Sequence, residues 1–231
     1  MPIKKKLDAY QGKLSASEIA AGMNAANANA LRLANDAEKL LKTGSFPTAA
    51  SLAALSIEES GKASILRQLS TATTAEEIKA SWKNYRSHTR KNVQWLLPEL
   101  AIKGARKLED LRPLFDEDAE HPFILDQLKQ LGFYTDCLGN KNWSMPSNII
   151  DEKLSQSLVQ IAKLLAGKSE VTTKEIELWI EHVGQASKSD FSAMKEALIK
   201  WYAAMQAAGL KERGANSMEN FIKNGVAFPK I

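Results

Sequence analysis

Two long helical segments follow one another near the start of the chain, and they constrain its fold more than any other feature. Ser15 and Glu18 have the spacing of a capping box, so we predict a first helix that runs to about Lys42. Gly44 tolerates the left-handed conformation that ends a helix. Pro47 suits the first turn of a second helix, which is predicted to reach about Ser70.

The remainder of the chain continues the helical pattern. Alanine, leucine, lysine and glutamate dominate, and alternating strand-like stretches are nearly absent, which predicts an all-α fold. A third helix is predicted from Thr74 to about Leu97, and "AIKGARKLEDLR" is predicted to be helical until Pro113. Further helices are expected after the exposed acidic stretch "DEDAEH", at "PFILDQLKQLGF" and at about 147–167, 172–184, 188–208 and 216–224. The segment "YTDCLGNKNWSMPSN" is rich in turn formers and is predicted to be irregular.

We place a domain boundary near residue 146. Residues 1–146 are predicted to form one helical bundle, and residues 147–231 a helical extension that packs on it.

Composition limits the classes of function. The net charge of +4 and the pI of about 9.0 are compatible with an anionic partner such as RNA but do not require one. The single cysteine, Cys137, excludes an internal disulfide and a cysteine-based metal site. The lysine-rich start has no apolar stretch, and no segment approaches the roughly 20 apolar residues of a membrane span. A cytoplasmic protein without membrane contact is therefore expected.

The second helix is apolar nearly all round, yet "SLAALSIEESGKASIL" carries two adjacent carboxylates, Glu58 and Glu59. At about 100° per residue, Glu58 falls outside the apolar stripes and close to Lys62, which predicts an exposed ion pair. Glu59 falls within a stripe of leucines, where a carboxylate needs a cation or hydrogen-bond donors. The pattern predicts a buried or cleft-lining Glu59 with a basic partner on another helix. A structural ion pair, a functional carboxylate and simple exposure all remain open.

The third helix contains the densest basic and aromatic run of the chain, "SWKNYRSHTRKN". On a regular helix His88 lies beside Asn84 and Lys91, whereas Arg86 points roughly 200° away. Because histidine exchanges protons near neutral pH, His88 is the candidate general acid or base for RNA cleavage. A packing or surface role for His88 is the alternative, and such roles are expected for His121 and His182.

Common enzyme signatures give no support to other chemistries. The sequence has no HExxH, P-loop, GxSxG or dinucleotide-binding motif, and we expect no cofactor and no metal.

Four segments, in the same order, resemble the AbiV family of abortive-infection proteins, which belong to the HEPN superfamily. "AASLAALSIEESGKASIL" (49–66) resembles that family's A-x-x-LA-x-L-x-x-EE-x-GK helix, and "NANALRLANDAEKLL" (27–41) resembles its first helix. "YRSHTRKN" is similar to its H-x-x-K segment, here His88 and Lys91. "LKQLGFYTDCLGNKNWSMP" (128–146) is similar to its K-Q-x-G-L-Y-V-D…W-x-x-P segment. Together these cover about residues 15–150.

The resemblance implies an all-α, HEPN-like helical bundle that forms a homodimer, with the cleft at the dimer interface. It also implies phage defence through RNA or the translation machinery, with a phage protein as a candidate activator. Many HEPN relatives are metal-independent ribonucleases with an R-x(4–6)-H motif. In this chain the three positions at which that motif requires an arginine before His88 are occupied by Ser81, Trp82 and Lys83, and none of these is arginine. Lys83 is the weaker substitute, because lysine lacks the planar fork of arginine.

These arguments define a candidate site and leave two main functions open. The candidate catalytic residues are His88, Arg86 and Glu59. Residues expected to bind RNA or phosphate are Lys83, Asn84, Arg90, Lys91 and Lys62, with Glu58 and Tyr134 at the rim of the cleft. The protein is then a metal-independent endoribonuclease, or a non-catalytic helical module that recognises a phage protein or the translation machinery. A third reading is a structural helical protein in which the polar pair only sets the packing.

Overall fold

A pair of long helices forms the centre of the computed structural model, which describes residues 8–115, 119–167, 169–186 and 190–225. Helix α1 spans Ala16–Lys42 and starts with the predicted capping box: the Ser15 Oγ accepts from the Glu18 N–H at 3.2 Å, and the Glu18 carboxylate accepts from the Ser15 N–H at 2.8 Å. Helix α2 spans Phe46–Ser70, with proline in its first turn. Both predicted helices are confirmed.

Helices α1 and α2 pack along each other through small side chains, which let the two backbones approach closely. The buried cluster between them and helix α8 (Glu152–Leu165) includes Ala34, Ala37, Ala50, Ala53, Ala54, Ile57, Leu158 and Ala162. The Ser56 hydroxyl, also buried, donates a 2.7 Å hydrogen bond to the Ala30 carbonyl of α1.

Helix α2 has neighbours on almost every side. Besides α1 and α8, it packs against α3 (Ala75–Arg86), α4 (His88–Lys91), α6 (His121–Phe133) and α9 (Thr173–Val183). Its buried residues therefore include polar ones, among them Ser51, Ser60 and Glu58.

The remaining elements are short or lie toward the chain end. They are α5 (Leu97–Ile102), α7 (Pro146–Ile149), α10 (Phe191–Ala207), α11 (Ser217–Asn224) and two 3₁₀ helices, Val93–Leu96 and Leu108–Phe115. The segment predicted to be irregular contains a small antiparallel hairpin, β1 (Asp136–Leu138) with β2 (Asn142–Ser144), in which Cys137 pairs with Trp143. The fold is all-α with this one exception in the described residues.

Helices α9 and α10 form a second core around two tryptophans. The rings of Trp179 and Trp201 meet edge to face with their centroids 5.0 Å apart. Leu178, Val183, Ala197 and Met205 are buried around them. Helix α8 instead shares the first core with α1 and α2, and the boundary near residue 146 stays a prediction. None of the helices in the described ranges combines the length and apolar character that crossing a membrane demands.

The predicted third helix is not continuous. Helix α3 ends at Arg86, and Ser87 adopts an extended conformation (φ −78°, ψ 130°) from which its hydroxyl accepts from the Arg90 N–H and caps α4. A serine side chain competes for backbone donors in this way, so one helix ends before Ser87 and a new helix begins after it in a different direction. The helix predicted to reach Pro113 is also interrupted: α5 ends at Ile102, and Gly104 follows with a positive φ of 100°.

The acidic stretch "DEDAEH" differs from expectation at its end. Residues 116–118 lie outside the described residues, as does the lysine-rich start of the chain, 1–7. His121 is buried rather than exposed and begins α6. Its Nε2 lies 3.1 Å from the Val93 carbonyl, which is a structural contact.

Candidate functional site

A buried carboxylate organises a group of charged side chains between α2, α4 and α6. Glu58 is 3% exposed; its Oε1 accepts from Lys129 Nζ at 2.5 Å and its Oε2 from His88 Nδ1 at 2.8 Å. The Lys91 Nζ lies 3.5 Å from the same Oε2, and Lys129 also donates to Asp126 at 2.7 Å. We call these five residues the Glu58 cluster.

The structure reverses the burial and the ion pairing that the helical count predicts for the two glutamates of α2. Glu58, expected in an exposed pair with Lys62 at the rim, is the buried one. Glu59, expected to meet the basic segment, instead pairs with Lys62 at 2.6 Å and is only partly buried. The prediction was wrong because it took the face outside the leucine stripes as solvent-exposed, whereas α4 and α6 cover that face.

Gly61 brings α4 into position. A Cβ at residue 61 would lie 2.0 Å from the Lys91 carbonyl oxygen, so the α4 backbone rests directly on the glycine. Glycine is the one residue that allows this approach without displacing α4. The contact places Lys91 and His88 over Glu58, one turn earlier on α2.

Gly132 does the same for α6. A Cβ there would lie 2.2 Å from the Ser51 Oγ of α2. The buried Ser51 hydroxyl also donates to the Lys129 carbonyl at 3.0 Å. Asn92 then ties the end of α4 to the start of α6, because its Nδ2 donates to the Pro122 carbonyl at 3.2 Å. The α6 backbone is thereby fixed where Lys129 reaches Glu58.

His88 is the exposed member of the Glu58 cluster. Its side chain is 61% exposed, although its Nδ1 contacts the buried carboxylate. An ionised carboxylate only accepts, so the Nδ1 carries a proton, and in the neutral imidazole the Nε2 then keeps its lone pair. No hydrogen-bond partner for Nε2 occurs among the residues that the structure describes. The arrangement therefore orients an imidazole with one nitrogen held and the other facing potential substrates.

The two lysines of the Glu58 cluster differ in their electrostatic balance. Burial lowers the pKa of Lys91, and the charge of Glu58 only partly compensates. Burial also acts on Lys129, but its hydrogen bonds to Asp126 and Glu58, together with the charges of these two carboxylates, outweigh the desolvation and raise its pKa. The surroundings of Lys129 thus stabilise its protonated form, whereas the burial of Lys91 destabilises its protonated form.

Arg86 lies outside this cluster. Its Nη2 donates to the Tyr10 carbonyl at 2.5 Å, and its guanidinium lies 5.1 Å from the Trp82 ring centroid. Lys83 is exposed and lines a groove on that same side with Arg86. The expectation that Arg86 shares a site with His88 is not met, because the chain turns at Ser87.

The other predicted residues lie in three different surroundings. Asn84 and Arg90 line a separate cavity beside Gly61. Lys62 pairs with Glu59 and lies 5.1 Å from the Tyr85 ring centroid. Tyr134, expected at the rim, is exposed just after α6, where its ring contacts that of Phe133.

Sequence reasoning missed Lys129 and Asp126, which complete the cluster. A signal for the first was present, since Lys129 and Gln130 form the K-Q pair of the segment that resembles the family. Asp126 precedes Lys129 by three residues, one helical turn, which places both side chains on one face of α6.

The carboxylates and His88 also have the spacing of a possible metal site. One ligand atom each from Glu58, His88 and Asp126 lies within 4.8 Å of the others. However, the Lys129 ammonium donates to both carboxylates and lies 3.4 Å from the His88 Nδ1. A divalent cation there would meet a charged ammonium, so these residues as arranged do not fit a metal.

Comparison with known proteins gives one match. The family model HEPN_AbiV, described as AbiV, matches residues 18–167, a range that runs from the first turn of α1 to beyond the end of α8 and includes the whole Glu58 cluster. Neither the curated proteins nor the solved structures include a significant match.

Proposed function

Because this chain belongs to the AbiV family of HEPN proteins, which indicates an abortive-infection role, we propose that it defends against phage by cleaving RNA without a metal ion. The observation that carries the proposal is the exposed His88 imidazole held at Nδ1 by the buried Glu58. A histidine ordered by a carboxylate in this way is suited to proton transfer at its free nitrogen.

The chemistry follows from the tautomer. The His88 Nε2 takes the proton of a ribose 2′-hydroxyl, and the 2′-oxygen attacks the adjacent phosphorus. The bond to the 5′-oxygen breaks, which leaves a 2′,3′-cyclic phosphate and a 5′-hydroxyl end. A general base of this kind contributes about 10²–10⁴-fold. In a homodimer, the protonated His88 of the second copy would give its proton to the leaving 5′-oxygen.

Positive charge for the phosphate would come from α4. Arg90 follows His88 closely on this short helix and is exposed. Lys91 adds a buried ammonium near the imidazole. Arginine and lysine at such positions stabilise the charge that develops on the phosphate oxygens.

The test incubates the purified full-length chain with total RNA in EDTA and sequences the new ends. We expect 5′-hydroxyl and cyclic-phosphate ends with the wild type and none with His88→Ala. His182→Ala is the matched control, because this histidine lies on α9 and contacts Glu181 rather than the Glu58 cluster. Equal cleavage by wild type and His88→Ala would refute the assignment.

A non-catalytic binding module is the second candidate, and a separate surface favours it. Several large apolar side chains from α6 to α7 are exposed, with Trp143 at 74%; the others include Phe123, Tyr134, Leu138 and Met145. Exposed large apolar side chains, where they lie together, are typical of protein-interaction surfaces. This function predicts that Trp143→Ser abolishes phage protection while wild type yields no new RNA ends. RNA ends that depend on His88 would decide for the nuclease.

A further inference from the structure

A cavity of about 650 Å³ lies beside Gly61, between α2 and the second core. Its walls come from α2, from the α3–α4 region and from helices α9 and α10. Pockets of this size hold small organic ligands. It is distinct from the Glu58 cluster, none of whose residues line it.

The charge of the cavity is one-sided. Arg67 and Arg90 line it, and no Asp or Glu is among its lining residues. The Arg90 side chain has no ion-pair partner among the described residues, while Arg67 pairs with Glu175 through one terminal nitrogen. An uncompensated guanidinium favours an anionic ligand, because its planar fork matches phosphate and carboxylate oxygens.

Two buried donors point to the same ligand chemistry. The Arg67 Nε and the Trp179 Nε1 are buried without a hydrogen-bond partner, and both residues line the cavity. A buried donor without an acceptor is destabilising, so native proteins rarely leave one without reason. Both orphan atoms are donors of wall residues, so the polarity of this wall favours a ligand rich in acceptor oxygens.

The rest of the wall is apolar with two amides. Trp179, Val183 and Met194 form one side, and Gln68 and Asn84 contribute side-chain amides. These surfaces suit a flat ring with polar edges. We propose that the cavity binds a nucleoside-monophosphate-sized anion, whose phosphate meets Arg67 and Arg90 and whose ring packs against Trp179 and Val183.

The site joins two parts of the chain. Arg90 lies on α4, which also carries His88, while Trp179 and Val183 lie on α9, beyond the residues matched by the family model. The helices after residue 167 thereby acquire a role as half of a ligand site. The proposal does not depend on RNA cleavage.

The test is isothermal titration calorimetry of the full chain with the four nucleoside 5′-monophosphates, the matching nucleosides and inorganic phosphate. We expect at least one monophosphate to bind, with its nucleoside and inorganic phosphate at least about tenfold weaker, since each part of the cavity then contributes its share. If no monophosphate binds even at millimolar concentration, the proposal fails.

Variants locate the binding. Arg90→Gln removes an exposed charge without disturbing the core and is expected to weaken binding at least about tenfold. Val183→Trp fills the apolar side of the cavity and is expected to weaken binding to the same extent. If the Val183→Trp protein does not fold, the result for Arg90→Gln decides. Arg32→Gln, on α1 and paired with Asp36, is the matched control and keeps full affinity. Unchanged affinity in Arg90→Gln, or loss of affinity in His88→Ala, would place the ligand elsewhere and overturn the proposal.

Discussion

Glu58 and Arg67 are two charged residues of the same helix, and their surroundings treat charge in opposite ways. The Glu58 carboxylate is enclosed, and both of its oxygens are used by cations or by the His88 imidazole. The Arg67 guanidinium lies 5.3 Å from the Trp179 ring centroid and 5.4 Å from that of Trp201, with one acidic partner and one donor unused.

This difference distinguishes a charge that positions its neighbours from a charge that still has hydrogen-bonding capacity for a ligand. A saturated buried charge has no capacity for a ligand, so Glu58 serves by fixing its neighbours, above all the exposed His88. An incompletely satisfied charge beside a cavity retains donors that a ligand can use. The same helix therefore carries a centre that positions a reactive group and, further along, a surface suited to binding.

The largest effect is expected from Glu58→Gln. It removes the negative charge that holds Lys91, Lys129 and His88, and leaving buried cations uncompensated typically costs about 3–5 kcal/mol of unfolding free energy. Urea denaturation followed by circular dichroism measures this cost. RNA cleavage should fall as well, because the imidazole loses its orienting carboxylate.

Glu59→Gln is the matched control for that change. Its pair with Lys62 is partly exposed, so the expected cost is under about 1 kcal/mol. Equal costs for the two substitutions would contradict the claim that only Glu58 organises the site.

Gly61→Ala comes next in expected size. The new methyl group would collide with the Lys91 carbonyl, and overpacking of this kind costs about 1–3 kcal/mol. Gly22→Ala on α1 is the control, since its methyl would meet only the flexible Leu66 side chain at 3.3 Å and alanine favours a helix. Thermal unfolding of both variants measures the difference; a Gly61→Ala protein as stable as Gly22→Ala would show that α4 does not rest on α2.

The sequence was sufficient for the elements whose ends carry local chemistry. The capping box at Ser15 and Glu18 and the proline at residue 47 act within one turn, so they predict α1 and α2 without knowledge of the fold. The break at Ser87 was missed because serine is both an acceptable helix residue and a cap, and only the packing of α4 on Gly61 decides between them.

The site was predictable only in part, for a different reason. His88 and Lys91 were named from the basic run and the family resemblance, and the structure brings both to Glu58. The choice between Glu58 and Glu59 depends on which faces of α2 are covered by other helices, and a helical count of one segment contains no information on that. Lys129 comes from a distant segment, so its contact with Glu58 is a property of the tertiary fold.

Arg67→Met tests the other half of the comparison, with a smaller expected effect. The methionine fills the space between the tryptophans but leaves Glu175 without its partner, and since this pair is partly exposed the expected cost is about 1–2 kcal/mol. Adding Glu175→Gln should recover part of it. Urea unfolding of both variants gives the values, and a cost for Arg67→Met equal to that of Glu58→Gln would remove the contrast between the two charges.

The smallest effect concerns alkaline pH and distinguishes the lysines within the Glu58 cluster. Burial lowers the pKa of Lys91 from 10.5, so the folded protein releases this proton at a lower pH than the unfolded chain does. Between that lowered pKa and 10.5 the unfolded state binds more protons, and the contribution of Lys91 to stability rises with pH. Lys129 has a raised pKa, so its contribution is complete below 10.5 and is lost as the pH rises through that raised value.

Unfolding free energies of wild type and Lys91→Met, measured from neutral pH to 10.5, isolate the first of these contributions. The unfolding free energy of the wild type should increase relative to that of the variant as the pH rises, because Lys91 becomes neutral in a buried environment that destabilises its charged form. Lys129→Met should show no such gain in this range, since wild-type Lys129 stays protonated in the folded state and its contribution to stability only begins to fall as the pH approaches 10.5. If the unfolding free energy of the wild type instead falls relative to that of Lys91→Met toward pH 10.5, Glu58 stabilises both ammonium groups equally. The cluster then contains no lysine whose protonated form is destabilised by burial.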